Sequence, residues 1–308
     1  MDIETGTIAQ LKALGPQVRD GRISVEQLIA LMEMVDEKSL DRRTLQNLVT
    51  REITYDQTIA RRWHWEEVPS TYGYPQSYRL GGAVDEVALL TQQWGGVNFD
   101  SSHVVRLASG IVVPREQGMD GLIIVPKPSV LAKICRATSL AKGKEGWPDM
   151  NLGLLYILDA LKHKLGKKFH DFTEGRIGPS NLRMTERQMQ ALQKLEASQP
   201  GDLLLFPGQT GLLYRGKSVR RARALFLAKE FGLGAYITGA HLLVHLERLV
   251  KYEDLWMDCA GDEYDFEAGG TWDRAPVVYF YDGKLGFGTG HVDDPSEYYG
   301  SVSGFLPE

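Results

Sequence analysis

Asp282-Gly283 stands between Tyr279-Phe280-Tyr281 and Leu285-Gly286-Phe287. An aspartate–glycine pair accepts the two left-handed positions of a tight turn, and aromatic runs on either side favour pleated backbone, so the chain must make a β-hairpin here. The surroundings extend the constraint. Residues 256–264, 269–272, 277–288 and 300–307 alternate short β-type runs with glycine-rich turns, and no helix of useful length fits after Glu267. The end of the chain is therefore a loop-rich β unit. It is also acidic: residues 253–308 hold thirteen Asp and Glu against Arg274 and Lys284, which puts −11 on this segment and +6 on the remainder of a chain of net charge −5. Nucleic-acid affinity depends on cations that displace counterions from phosphates, so no nucleic acid is expected at this surface.

Upstream the pattern is helical. Ile8, Leu11 and Leu14 recur on one face, and Ser24 is placed as an N-cap before Leu28, Leu31, Met32 and Val35. Three short helices over residues 1–52 form a helical N-terminal module, and residues 53–308 form the second unit. Residues 53–99 are irregular and aromatic, with His64 between Trp63 and Trp65, and read as loops folded over a core. Residues 104–113 and 122–126 read as strands, residues 203–206 as a further strand, and residues 129–138, 152–165, 185–197, 220–231 and 240–252 as helices. In the third of these helices Thr185 and Gln188 approximate a capping box. The expected class is α/β in the broad sense that includes α+β.

With 43% hydrophobic and 24% charged residues, the 308-residue chain is too apolar for disorder and too charged for a membrane bundle. The acidic start lacks the basic and apolar regions of a secretory signal, and no apolar run reaches the roughly 18 residues of a span. A cytoplasmic location is expected, with surface display possible only through a partner. Cys135 and Cys259 are the only cysteines and cannot build a disulfide framework or a four-cysteine zinc site.

Two motifs suggest chemistry. Gly211-Leu-Leu-Tyr-Arg-Gly216-Lys217-Ser218 satisfies G-x-x-x-x-G-K-[ST], where backbone amides would cradle phosphates, Lys217 would reach the β and γ oxygens and Ser218 would hold magnesium. Against it, Leu, Leu, Tyr and Arg prefer extended backbone, and four residues separate the preceding strand from Gly211. His241 and His245 share a helix face at metal-ligand spacing, but Leu242 replaces the glutamate a zincin needs, so a packed pair is the better reading. Carboxylates over residues 254–267 lack a defined partner for acid–base work. No catalytic residue, cofactor or metal is assigned. A nucleotide-binding enzyme using Gly211–Ser218, or a DNA-associated regulator with its reading helix at residues 41–50, stand as alternatives.

The remaining feature is a frame of Gly269, Gly270, Trp272, Phe280, Phe287, Gly304 and Phe305 interleaved with residues free to point outward. These are Asp273, Arg274, Tyr279, Tyr281, Asp282, His291, Asp293, Asp294, Ser296, Tyr298, Tyr299 and Ser301. Tyr, Ser, Gly and Asp on loops are the composition of a recognition surface, because Tyr gives large rigid contact at low entropic cost. Gly269-Gly-Thr-Trp272 and the terminal Ser303-Gly-Phe305 resemble the C-terminal variable region of the variable proteins of diversity-generating retroelements. The blocks at residues 216–223, 230–235 and 255–263 are similar to an uncharacterised microbial subclass of them, so the resemblance covers residues 216–308. It implies a C-type lectin-like fold in the C-terminal part with a variable region at about 269–305. The implied activity is metal-independent binding of a protein or glycan ligand by a surface that a retroelement diversifies, not turnover.

Overall fold

The computed structural model describes residues 12–19, 23, 24, 27–29, 31, 32 and 66–307. Most of the N-terminal module, including the helix expected at residues 41–50, and Trp63 and His64 lie outside them. Within the module, helix α1 spans Gly15–Arg19, and Leu14, Ile23 and Leu31 are buried. Ser24 and Gln27 cap each other reciprocally: Ser24 N donates to Gln27 Oε1 at 2.7 Å and Gln27 N to Ser24 Oγ at 3.1 Å. Gln27 Nε2 also donates to the carbonyl of Ala224, so this capped turn sits on the main body.

The body is mixed α/β with two sheets. Its helices are α2 (Ala83–Gln93), α3 (Val104–Gly110), α4 (Pro128–Arg136), α5 (Asp149–Leu165), α6 (Glu186–Ser198), α7 (Val219–Leu225) and α8 (Ala235–Val244). The strands are β1 (Gly121–Pro126), β2 (Phe169–Asp171), β3 (Leu182–Met184), β4 (Leu203–Gln209), β5 (Glu230–Gly232), β6 (Trp256–Asp258), β7 (Asp262–Tyr264), β8 (Arg274–Tyr281), β9 (Lys284–His291), β10 (Tyr299–Ser301) and β11 (Ser303–Phe305). One sheet has the order β1-β4-β11-β5, all antiparallel. The other runs β10-β6-β8-β7-β3, with β9 on β8 and β2 parallel to β9.

Every residue of β4 and every residue of α8 is buried. Small residues let the layers meet: a Cβ on Gly153 of α5 would stand 2.5 Å from the Tyr236 ring of α8, and one on Gly239 would stand 2.9 Å from Ile157. Only glycine permits this α5–α8 separation. Tyr236 in turn donates its hydroxyl to the carbonyl of Pro126, tying α8 to β1 at 2.8 Å. One apolar core runs from Leu90 to Val302 through both sheets.

Several expectations hold and others need correction. Thr185 caps α6 by accepting from Gln188 N, and the Asp282-Gly283 turn has positive φ at both residues, 51° and 70°, as its type I′ signal requires. Residues 104–113, read as a strand from their β-branched run, instead begin with helix α3, in which only Val104 is buried. Residues 83–93, read as loop, form α2, whose Glu86 and Leu90 point inward. The helix read at residues 220–231 stops at Leu225, because Glu230–Gly232 pairs with β11. The helix read at 240–252 lies earlier, over Ala235–Val244.

Candidate recognition face

The hairpin register places the site. Arg274 faces His291 and Tyr281 faces Lys284, with every residue between paired in step. Side chains alternate across a strand, and directly paired residues share a face. Met257, Val278, Phe280, Leu285 and Phe287 therefore turn toward the core, while Trp256, Tyr279, Tyr281 and the glycines Gly286, Gly288 and Gly290 turn outward. Tyr299 of β10 pairs with Trp256, and His170 of β2 pairs with Gly286, so both join the outward side.

Half of this outward face is covered. Tyr214, Val219, Ala222 and Phe226 pack with Ala260 and Ala275, so α7 roofs the end of the hairpin near its base. The other half is aromatic, with Trp256 buried at its centre, 7% exposed, and the rings around it partly exposed. Trp256 lies 5.6 Å from Tyr279, 5.3 Å from Tyr298, 5.1 Å from Tyr299 and 5.2 Å from Tyr252 between ring centroids. Phe172 continues the row 5.6 Å beyond Tyr279, and His170 lies 4.0 Å from Phe172. Tyr72 closes the other end, edge-on to Tyr298 at 5.0 Å. Tyr281 is 62% exposed, Phe172 51% and Tyr252 36%.

The twelve residues expected to point outward do not make one patch. Tyr279, Tyr281, Tyr298 and Tyr299 gather on the aromatic half, and Asp282 is exposed at the turn beside them. Arg274 and His291 lie on the opposite strand face at the far end of the hairpin, where Arg274 Nη2 is 3.0 Å from His291 Nε2 and Asp273 is 3.7 Å from His291 Nδ1. Asp293 approaches Arg220 at 3.9 Å, Asp294 is exposed and Ser296 is half-buried. Ser301 corrects the expectation outright. It is 0% exposed, because it pairs with Asp258 under the covered half, and its Oγ has no hydrogen-bond partner among the described residues.

The frame residues also divide. Phe287 is buried, and Gly304 is hemmed in, since a Cβ there would stand 2.9 Å from the rings of Phe206 and Phe231. Phe280 and Phe305 are half-buried. Trp272, expected in the core, is half-buried instead, with the Arg183 guanidinium 4.0 Å over its ring. Gly269 and Gly270 sit on an exposed loop with open space around them, and what fixes Gly270 is its φ of 95° and a hydrogen bond from its N–H to the Asp265 carboxylate.

The phosphate-loop signature folds into something else. The amides of Gly211 and Leu213 donate to Gln209 Oε1, that of Leu212 to Tyr74 Oη, and those of Gly216 and Ser218 to the carbonyls of Tyr299 and Glu66. Amides already committed to protein acceptors cannot cradle an anion. Lys217 Nζ pairs with Glu67 at 2.9 Å, and Ser218 donates to the buried carboxylate of Glu66 at 2.5 Å while capping α7. Two carboxylates thus occupy the partners a phosphate and its magnesium would need.

The histidines belong to a buried network. Tyr78 Oη is 2.9 Å from His241 Nε2, and burial holds the His241 pKa well below the ordinary imidazole value, keeping it neutral. His245 sits between Glu86 at 2.7 Å and Glu247 at 2.9 Å. Burial opposes its charge, but the hydrogen bonds to Glu247 and Glu86 prevail and lift its pKa to about 9. Arg248, 0% exposed, donates to Thr210 Oγ1, the Thr210 carbonyl and the Leu255 carbonyl, with its guanidinium 4.3 Å over the Tyr74 ring. His241, His245 and Arg248 make this interior polar seam from one helix face and the turn after it. Among the described residues no group of three or more His, Cys, Asp or Glu could hold a metal ion, and no helix is long and apolar enough to cross a membrane. Burial raises the thiol pKa of both Cys135 and Cys259.

Sequence reasoning missed Phe172, His170, Tyr252, Trp256 and Tyr72 as members of the aromatic face. One signal was present: Gly286-x-Gly288-x-Gly290 repeats at the strand period, which clears one face of one strand for a ring to lie on. No family model, curated protein or solved structure matches the chain.

Proposed function

We propose that the chain is a ligand-binding protein, with its recognition surface on the open half of the outward face and the adjoining hairpin tip. The supporting observation is the row of partly exposed rings around Trp256, two of which, Tyr279 and Tyr281, stand on a hairpin whose eight cross-strand pairs are all in register. A scaffold fixed by backbone pairing tolerates exchange of its outward side chains, because their replacement leaves the ladder intact. That property suits the diversification implied by the resemblance to retroelement variable proteins, and a C-type lectin-like fold for this part belongs to the same proposal.

Sequencing sibling genes from related strains tests it. Substitutions should collect at Tyr279, Tyr281, Asp282, Tyr298 and their exposed neighbours, and should spare Phe287, Ser301 and Gly304. Differences spread evenly along the chain, or collected in the core, would remove the proposal.

A further inference from the structure

Resting on that reading, we infer that the open aromatic half is a stacking platform for a neutral polysaccharide. The deciding detail is how Tyr279 lies. A Cβ on Gly286 would stand 2.7 Å from its Cε2 and Cζ, and one on Gly288 would stand 3.2 Å from its Cε1. The ring is therefore laid flat over the glycine backbone of β9, with its second face turned away from the sheet. Phe172 on one side is tilted only 32° from it, and Trp256 on the other 43°, so successive rings pave the strand instead of standing on edge. Beyond the buried Trp256 the exposed rings form a rim: Tyr252 stands edge-on to Trp256 at 89°, and Tyr281 lies 6.4 Å from Tyr252.

An aromatic face carries the negative lobe of the ring quadrupole. The C–H bonds on one side of a sugar ring are polarised positive by the adjacent oxygens and settle against it, and the sugar hydroxyls keep their contact with water at the rim. The charges around the rings favour an uncharged ligand. The exposed Lys251 and Lys284 stand against Glu253, Asp282 and Glu297, whereas a polyanion requires a cationic groove. An extended peptide would add to a strand edge. Of the two edges beside the rings, β10 is already engaged by the bridge between Arg215 and Gly300, and β2 offers only the three residues Phe169–Asp171.

Native affinity electrophoresis of the full chain tests the inference, in gels containing hydroxyethylcellulose, laminarin, xylan or glucomannan and in a gel with no polymer. At least one neutral polymer should retard the protein. Tyr279→Ala and Tyr281→Ala should each weaken that retardation about tenfold, and Tyr279→Phe should preserve it, since the ring and not the hydroxyl makes the contact. Tyr281 is exposed enough that its alanine variant folds even where the Tyr279 variant does not. Absence of retardation in all four gels overturns the polysaccharide. Binding to heparin or oligodeoxythymidine instead, or selection of peptides from a displayed library, also overturns it, and the recognition face itself survives if that binding is lost in Tyr281→Ala. If nothing binds in a Tyr281-dependent way, the recognition face falls together with the polysaccharide.

Discussion

Strands β11 and β8–β9 both lie within residues 274–305 and both set glycine beside phenylalanine, yet one is sealed and the other carries partly exposed rings. In β11, Ser303 donates to Glu230 at 2.6 Å and accepts from Gln209 at 2.9 Å, and Gly304 leaves no space for a methyl group between Phe206 and Phe231. On β9 a Cβ would stand 2.7 Å from the Tyr279 ring at Gly286 and 3.2 Å at Gly288, but the group these glycines accommodate is one half-exposed ring. Composition alone does not separate a core glycine from a platform glycine. What separates them is whether a second layer covers the face.

The sharpest test of the sealed side is Arg248→Ala. It strands the Thr210 and Leu255 carbonyls without their donor and leaves a void beside Tyr74, so a loss of roughly 4 kcal/mol is expected, read as a fall in urea midpoint at unchanged slope. Gly304→Val follows. The atoms it meets are fixed aromatic carbons from two strands, and overpacking of this kind costs roughly 1–3 kcal/mol. Gly283→Val at the turn, with open space around it, probes backbone strain alone at a φ of 70°, and should cost less than Gly304→Val. Equal losses at the two positions would erase the distinction between sealed and open glycines.

A pH series divides the sides more gently. His245 has a folded pKa of about 9 against an ordinary 6.5, so its contribution to stability is complete below pH 6.5 and is lost as pH rises through 9. Asp258, at the boundary beneath the covered half, is raised by burial to about 7 from 3.8, with only the Arg223 charge opposing. Its contribution is complete below pH 3.8 and is lost as pH rises through 7. Denaturation at intervals from pH 5 to 10 should therefore show stability falling in two steps. Burial raises Asp262 to about 7 as well, so Asp258→Asn and Asp262→Asn should each shrink the step ending near 7, and both should leave the step ending near 9. A single step altered by neither Asp258→Asn nor His245→Gln would refute the assignment.

Much of the frame was legible in the sequence. The turn residues at 282–283, the N-caps at Ser24 and Thr185 and the strand β4 all act locally, over a few residues, and local rules find them. The aromatic face was legible only in Tyr279, Tyr281, Tyr298 and Tyr299. Trp256, Phe172 and Tyr72 join it through contacts with residues distant in the chain, Tyr72 reaching Tyr298, which no periodicity encodes. Tertiary context also overrode the strand reading of residues 104–113, whose first seven form α3, and turned the Gly211–Ser218 signature into a carboxylate-bound turn. That signature is defined by residue types, whereas anion binding needs free amides, and Gln209, Tyr74 and Glu66 take them from outside the motif.

The smallest expected effect is on the open side. Tyr281 is mostly exposed, and its nearest aromatic neighbour, Tyr252, is 6.4 Å away. Tyr281→Ala should change stability by no more than about 0.5 kcal/mol, because a surface truncation opens no cavity and leaves no buried polar group unpaired. Phe287→Ala, six residues further on and across the same hairpin, should cost roughly 3–5 kcal/mol, because its ring faces the core. The pair isolates face from sequence, since both are aromatic residues of one two-stranded unit. If chemical denaturation found Tyr281→Ala as damaging as Phe287→Ala, the rings around Trp256 would be acting as a second core, and the face would have no surface to spare for a ligand.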